Sequence, residues 1–127
     1  MTFPFDPNRG PVVVQCSISG PLGQADLRLI LDTGATTTLI RSTILVALGY
    51  APQGSADRVQ VTMGNGVESL PRLILNRLSA LGEHRIGFAA LSHPIPPSAG
   101  VDGLLGLDFL RGRSLIMDFR TGQISLL

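Results

Sequence analysis

Residues Leu27-Arg28-Leu29-Ile30-Leu31 run straight into Asp32-Thr33-Gly34. Leu27, Leu29 and Leu31 alternate with period two, the pattern of a strand with one buried face. The strand therefore ends on a carboxylate, and the Thr-Gly after it turns the chain tightly. Taken alone, the triplet also fits an ordinary β-turn, because Asp and Gly are common turn residues. The chain carries it once.

The same alternation recurs on both sides. Val12, Val14, Cys16 and Ile18 mark a half-buried strand over residues 12–19, and Gly20-Pro21-Leu22-Gly23 closes it with a turn. Ser42 to Gly49 reads as a short helix, capped by Ser42 and ended by Gly49 in the left-handed conformation. Val59, Val61 and Met63 alternate into Gly64-Asn65-Gly66. Several positions of that turn tolerate positive φ, so a hairpin is expected. Its return arm runs from Val67 to Leu75, with Pro71 marking an edge or the end of pairing. Arg85 to Leu91 is a further strand, and His93 to Gly100 is a stiff loop. A short helix fits Leu107–Arg111. Leu115–Phe119 and Gln123–Leu127 pair across Arg120-Thr121-Gly122. About seven short strands with turns between them make an all-β sandwich or barrel. There is no internal repeat and no linker, so residues 1–127 read as one domain.

Composition removes several function classes. The net charge is +1 and basic residues form no run, which gives no footing for nucleic acid or an anionic membrane. The N-terminus lacks the basic-then-apolar order of a secretory signal, and no window approaches the roughly 20 apolar residues of a spanning helix. A single cysteine, Cys16, forms no internal disulfide. It reads as a small buried strand residue, and a cytoplasmic location is expected. His84 and His93 have no Cys or acidic ligand at metal spacing, so both are expected to be exposed, with no metal and no cofactor. Asp118 reads as a turn residue.

A second signal lies at Val101-Asp102-Gly103-Leu104-Leu105-Gly106. With Leu31-Asp32-Thr33-Gly34-Ala35-Thr36 it resembles the retropepsin-like family, the single-domain aspartic proteases of retroviruses and their bacterial relatives. The resemblance covers residues 12 to 127, with the apolar strand, the triplet, the Gly-rich hairpin and the Gly-Leu-Leu-Gly in the family's order. It implies a closed acid-protease barrel with one or two short helices. It implies that Asp32, Thr33 and Gly34 form the catalytic turn, with Thr33 bonding across the base of the site. Ala35 and Thr36 would line the cleft. Met63, Gly64, Asn65 and Gly66 would form a flap over bound polypeptide. Leu104 and Leu105 would bury beneath the turn as scaffold, and Gly106 would permit close packing against it.

The chemistry explains why one triplet is half a site. Peptide hydrolysis of this kind holds a water between two carboxylates, one ionised to take its proton and one protonated to polarise the scissile carbonyl. Two such groups in contact share one proton. The second carboxylate would be Asp32 of another copy across a two-fold axis. The implied partners are thus a second copy of the chain and an extended polypeptide substrate. Asp108 is a second acid on paper, but it fits better as a group bonding within the short helix. The retroviral pattern often has an Asp where this chain has Thr36, and an Arg where it has Leu107. Both members of that ion pair are missing together, so apolar contacts and the strands Val12–Ile18 and Gln123–Leu127 are the candidates for holding a dimer. The bacterial branch is the closer likeness. The alternative is a catalytically silent domain of the same fold, used for dimerisation or peptide binding. A β-barrel binding module with a chance triplet is a third reading.

Overall fold

Val14, Cys16 and Ile18 are buried along one face of β2 (Val13–Gly20), and Leu27, Leu29 and Leu31 along one face of β3 (Gly23–Leu31). The two strands pair antiparallel from Val13↔Ile30 to Gly20↔Gly23, as the alternation and the turn predict. The structure, a computed structural model, describes residues 1–127. β1 (Phe3–Pro4) precedes this hairpin. After it come β4 (Leu39–Arg41), α1 (Ser42–Ala47), a 3-10 turn at Pro52–Gly54, β5 (Arg58–Met63), β6 (Gly66–Ala80) and β7 (Glu83–His93). A second 3-10 turn at Pro97–Ala99 leads to β8 (Gly103–Leu105), α2 (Leu107–Leu110), β9 (Leu115–Asp118) and β10 (Gln123–Leu126).

Hydrogen bonding closes a barrel in the order β2-β3-β8-β4-β7-β6, with β6 returning to β2 through Cys16↔Ala80 to Ser19↔Arg77. β5 extends the sheet outward from β6, and β1, β10 and β9 form a separate three-stranded sheet. The short strand β8 slots between β3, to which it is parallel, and β4, to which it is antiparallel. Most of the buried side chains, from Phe5 through Phe109 to Ile124, form one apolar core inside the barrel. The fold is the closed all-β barrel with two short helices that the retropepsin resemblance implies. No helix is long and apolar enough to cross a membrane. No group of three or more His, Cys, Asp or Glu residues is placed to hold a metal ion.

Several local expectations change. The return arm of the hairpin extends to Ala80, making β6 15 residues long. Pro71 sits where β6 changes partners. Pairing with β5 ends at Arg58↔Pro71, and pairing with β7 begins at Arg72↔Leu91. Ser42 is not a cap: the position before the helix is Arg41, with no side-chain capping bond. Gly49 does take positive φ, at 94°. In the hairpin turn only Gly66 has positive φ. His93 is half-buried rather than exposed, with Nδ1 3.6 Å from Glu68 Oε2. Asp118 caps its turn as expected, accepting from the N–H groups of Arg120 and Thr121.

Cys16 is buried at 4% exposure, and desolvation pushes its thiol up to about 12 from an ordinary 9.0. The backbone hydrogen bond at Leu29 opposes this more weakly. Above pH 9 an unfolded chain loses the thiol proton while the folded chain keeps it. The unfolded state then binds fewer protons, so stability falls as pH rises from 9 toward 12 and is fully present below that window. At pH 8 the native thiol should react with an aromatic disulfide reagent only as fast as the protein unfolds, and at once in urea. Native reaction within seconds would contradict this burial.

Gly103 carries the tightest backbone crossing. A Cβ on Gly103 would stand 1.9 Å from the Leu39 carbonyl oxygen, where β8 meets β4. Backbone cannot yield there as a flexible side chain can. Gly103→Ala should cost about 3 kcal/mol or more and lower the melting temperature by on the order of 10 °C. Gly54, with no neighbour within 4 Å, is the control. Equal melting of the two variants would show that β8 does not insert as described.

Candidate active site

Asp32 is the first residue beyond β3, and β8 sets where it points. Its N–H donates to the Leu105 carbonyl at 3.0 Å, extending the β3–β8 ladder one step past Leu31↔Leu105. The chain then turns: the Ala35 N–H returns to the Asp32 carbonyl at 3.1 Å, and the Gly34 N–H donates to Asp32 Oδ1 at 2.9 Å. One carboxylate oxygen is thereby fixed, while Oδ2 accepts no hydrogen bond within the chain. Asp32 is half-buried, and Thr33, Gly34 and Thr36 are exposed. A Cβ on Gly34 would lie 3.1 Å from Asp32 Oδ1, so any side chain there crowds the carboxylate.

Gly106 lets the loop cross α2's entry. An added Cβ would meet the Ala35 carbonyl oxygen at 2.8 Å and the Thr37 carbonyl carbon at 2.9 Å. Leu107 N–H donates to the Ala35 oxygen at 2.8 Å and Asp108 N–H to the Thr36 oxygen at 3.2 Å. Leu104 and Leu105 do not both bury beneath the turn. Adjacent strand residues point to opposite faces. Leu105 is fully buried in the main core. Leu104 is half-buried and joins a second apolar cluster around Leu39, Leu70 and Leu91.

That second cluster includes the inner face of the Gly64-Asn65 hairpin, with Val59, Val61 and Met63 packing beside Ile95 and Leu104. The structure thus brings Met63 and Leu104, named on separate grounds from the sequence, to one apolar wall. Gly64, Asn65 and Gly66 are exposed, and nothing lies within 4 Å of the Cβ positions of either glycine. The hairpin is clamped at its base. Arg72 Nε donates to Asp57 Oδ2 at 2.8 Å and its Nη2 to Oδ1 at 3.2 Å, while Arg72 N–H donates to the Asp57 carbonyl. The Asp57 carboxylate, through these bonds first and its charge second, holds the Arg72 guanidinium above its ordinary value.

A cavity of about 600 Å³ lies elsewhere, between the N-terminal arm and β2, lined by Phe3, Arg9, Gln15 and Arg28. Asp32 does not line this cavity.

Residues 14–109 match the family model described as aspartyl protease. The chain belongs to the aspartyl protease family. The fold is also similar to the crystal structure of a retropepsin-like aspartic protease from Rickettsia conorii, with a TM-score of 0.69 at 16% sequence identity. That likeness covers 100% of this chain and 98% of the other. The search of curated proteins finds no match. This aspartyl protease is thus a hydrolase by family and retropepsin-like by fold. The matched span contains both the Asp32 turn and the Leu104-Leu105-Gly106 strand.

Sequence reasoning missed Thr38 in this protease. It is fully buried, and its hydroxyl and N–H both bond Asp108. Nothing in the run Thr36-Thr37-Thr38 distinguishes the third threonine until the loop is folded over Gly106. Asp108 does bond within its helix, to the Phe109 N–H at 2.9 Å, but that is the smaller part of its role.

Proposed function

We propose that residues 1–127 form one aspartic endopeptidase domain that works as a homodimer on extended polypeptide. The observation that carries this is Asp32 itself: one oxygen is held by Gly34 and the other is free on an exposed turn. Placed against its two-fold mate, the pair holds a single proton between its carboxylates, because two like charges in contact do not both persist. The ionised member takes a proton from a shared water as that water attacks the scissile carbonyl carbon. The protonated member gives its proton to the carbonyl oxygen. The gem-diol intermediate collapses as the peptide nitrogen takes the proton now held by the first carboxyl and leaves, while a diol hydroxyl returns a proton to the second carboxylate, which restores the singly protonated pair.

Thr33, exposed in the single chain, would bond across the two-fold axis and lock the two turns. Ala35 and Thr36 would lie beside the substrate backbone. The flap from Met63 to Gly66 would close over the substrate and exclude water. The wall of Val59, Val61, Met63, Ile95 and Leu104 would favour apolar side chains. A half-buried Asp32 beside exposed Thr33 and Gly34 suits a cleft whose second wall belongs to another chain.

The strands proposed for the interface need revision. β2 is bonded by β3 on one edge and by β6 on the other over Cys16–Ser19, so it has no free edge there. β10 is flanked by β9 and, at Gln123 and Ile124, by β1. The terminal surface instead offers the free edge of β9 and the exposed side chains Ile116, Phe119 and Leu127. The deciding experiment is cleavage of a peptide library and of an unfolded protein by wild type, with Asp32→Asn as control. A dimer without turnover on any substrate would leave the non-catalytic reading in its place.

A further inference from the structure

We infer that Asp108 is the positioning residue of the Asp32 loop, acting through the Thr38 hydroxyl. This rests on the reading of Asp32 as the catalytic group. The loop from Asp32 to Thr38 is pinned at its start by the bond from Asp32 N–H to the Leu105 oxygen. Its far end is pinned by side-chain chemistry. Thr38 Oγ1 donates to Asp108 Oδ1 at 2.7 Å, and Thr38 N–H donates to Asp108 Oδ2 at 2.9 Å. The same hydroxyl accepts from the Gly106 N–H at 3.0 Å. Thr38 therefore bridges the acid on α2 and the glycine over which the loop crosses.

The residue types are those the geometry requires. Three donors converge on the Asp108 carboxylate: the Thr38 hydroxyl, the Thr38 N–H and the Phe109 N–H. No cation is within ion-pair distance, so these donors alone compensate its charge. Hydrogen bonds to an ionised acceptor are the stronger kind. An Asn at 108 would turn an NH₂ group toward one of the three donors. At Thr38 the hydroxyl must donate and accept at once, which Ser can do and Val cannot.

The same bonds exclude Asp108 as a second catalytic acid in one chain. Both of its oxygens are occupied inside the protein, whereas Asp32 keeps one free. The tie also lies within two residues of Thr36 and Leu107, where this chain lacks the acid and the Arg of the retroviral pattern. Loop placement matters because a catalytic group displaced by about 1 Å costs about 100-fold in rate. Asp108 touches no reacting atom, so its loss should lower kcat and leave KM nearly unchanged.

The test compares Thr38→Val, Thr38→Ser, Asp108→Ala and Asp108→Asn with wild type and Asp32→Asn on one peptide substrate, at protein concentrations that saturate activity. Thr38→Val and Asp108→Ala should lower kcat by about 10- to 100-fold with KM changed by less than about threefold. Thr38→Ser should keep kcat within about threefold, and Asp108→Asn should fall between. Folding is checked by melting. Where Asp108→Ala does not fold, the Thr38→Val and Thr38→Ser pair decides the matter. The amide resonances of Gly34 and Ala35 give a second readout independent of turnover, and should move in Thr38→Val but not in Thr38→Ser. A folded Asp108→Ala with wild-type kcat would overturn the inference. So would a rise in KM alone, or a loss as complete as that of Asp32→Asn, which would make Asp108 itself catalytic. Full activity in Asp32→Asn would instead sink the reading of Asp32, and the two amide resonances would still decide whether Asp108 places the loop.

Discussion

Asp32→Asn should leave the barrel folded and lower peptide cleavage by about 1,000-fold or more. Asn is nearly isosteric with Asp. Its side-chain oxygen can still accept from the Gly34 N–H, so the turn that holds Oδ1 at 2.9 Å has no reason to open. What Asn cannot do is take a proton from water and pass it on. The melting temperature should therefore stay close to that of wild type, since the half-buried carboxylate supports no ion pair in the single chain. Cleavage of an unfolded protein, followed by gel and by mass spectrometry, supplies the measurement. Equal rates for mutant and wild type would mean that the turn is only a turn.

Much of this architecture is readable from local pattern. Val14, Cys16 and Ile18, then Leu27, Leu29 and Leu31, face the core because a strand alternates its faces and the sequence alternates with it. Gly49, just past the end of α1, has the positive φ expected of it, because glycine takes that conformation without the steric cost a Cβ adds. The position of Asp32 is readable for the same reason: a strand must stop somewhere, and a Thr-Gly after an acid stops it.

Closure of the barrel is less legible. The contact of β2 with β6 joins Cys16 to Ala80, far apart in sequence and set by how the sheet coils rather than by either strand's composition. The split of Leu104 from Leu105 follows from strand alternation. It was obscured because an apolar pair in sequence looks like one buried unit. Ser42 failed as a cap because the backbone enters α1 directly from β4, with Arg41 at the capping position and tied to Asp102. The Thr38–Asp108 tie is the clearest case. Its two members are separated by the whole hairpin and by β7, and neither has a local reason to be special.

The site's dependence on a second chain should appear in how activity scales with concentration. Each chain has a single Asp-Thr-Gly turn, and the other acid near it, Asp108, has both oxygens bonded inside the protein. A lone Asp32 has no mate to share its proton and no second group to polarise the carbonyl. Below the dimer dissociation constant, specific activity should fall about tenfold for each tenfold dilution, and above it should reach a plateau. Mixing one part wild type with nine parts Asp32→Asn should leave only about one wild-type chain in ten beside another wild-type chain, so cleavage per wild-type chain should drop about tenfold. Ile116, 52% exposed on β9 and remote in sequence from the Asp32 turn, supplies an independent handle on the proposed surface. Ile116→Asp should move the dilution midpoint to higher protein concentration and leave the plateau unchanged, because it weakens association without touching the chemistry. A wild-type sample that sediments as a monomer and keeps constant specific activity on dilution would refute the shared site. A plateau lowered by Ile116→Asp at saturating concentration would place that residue in the catalytic machinery rather than at the interface.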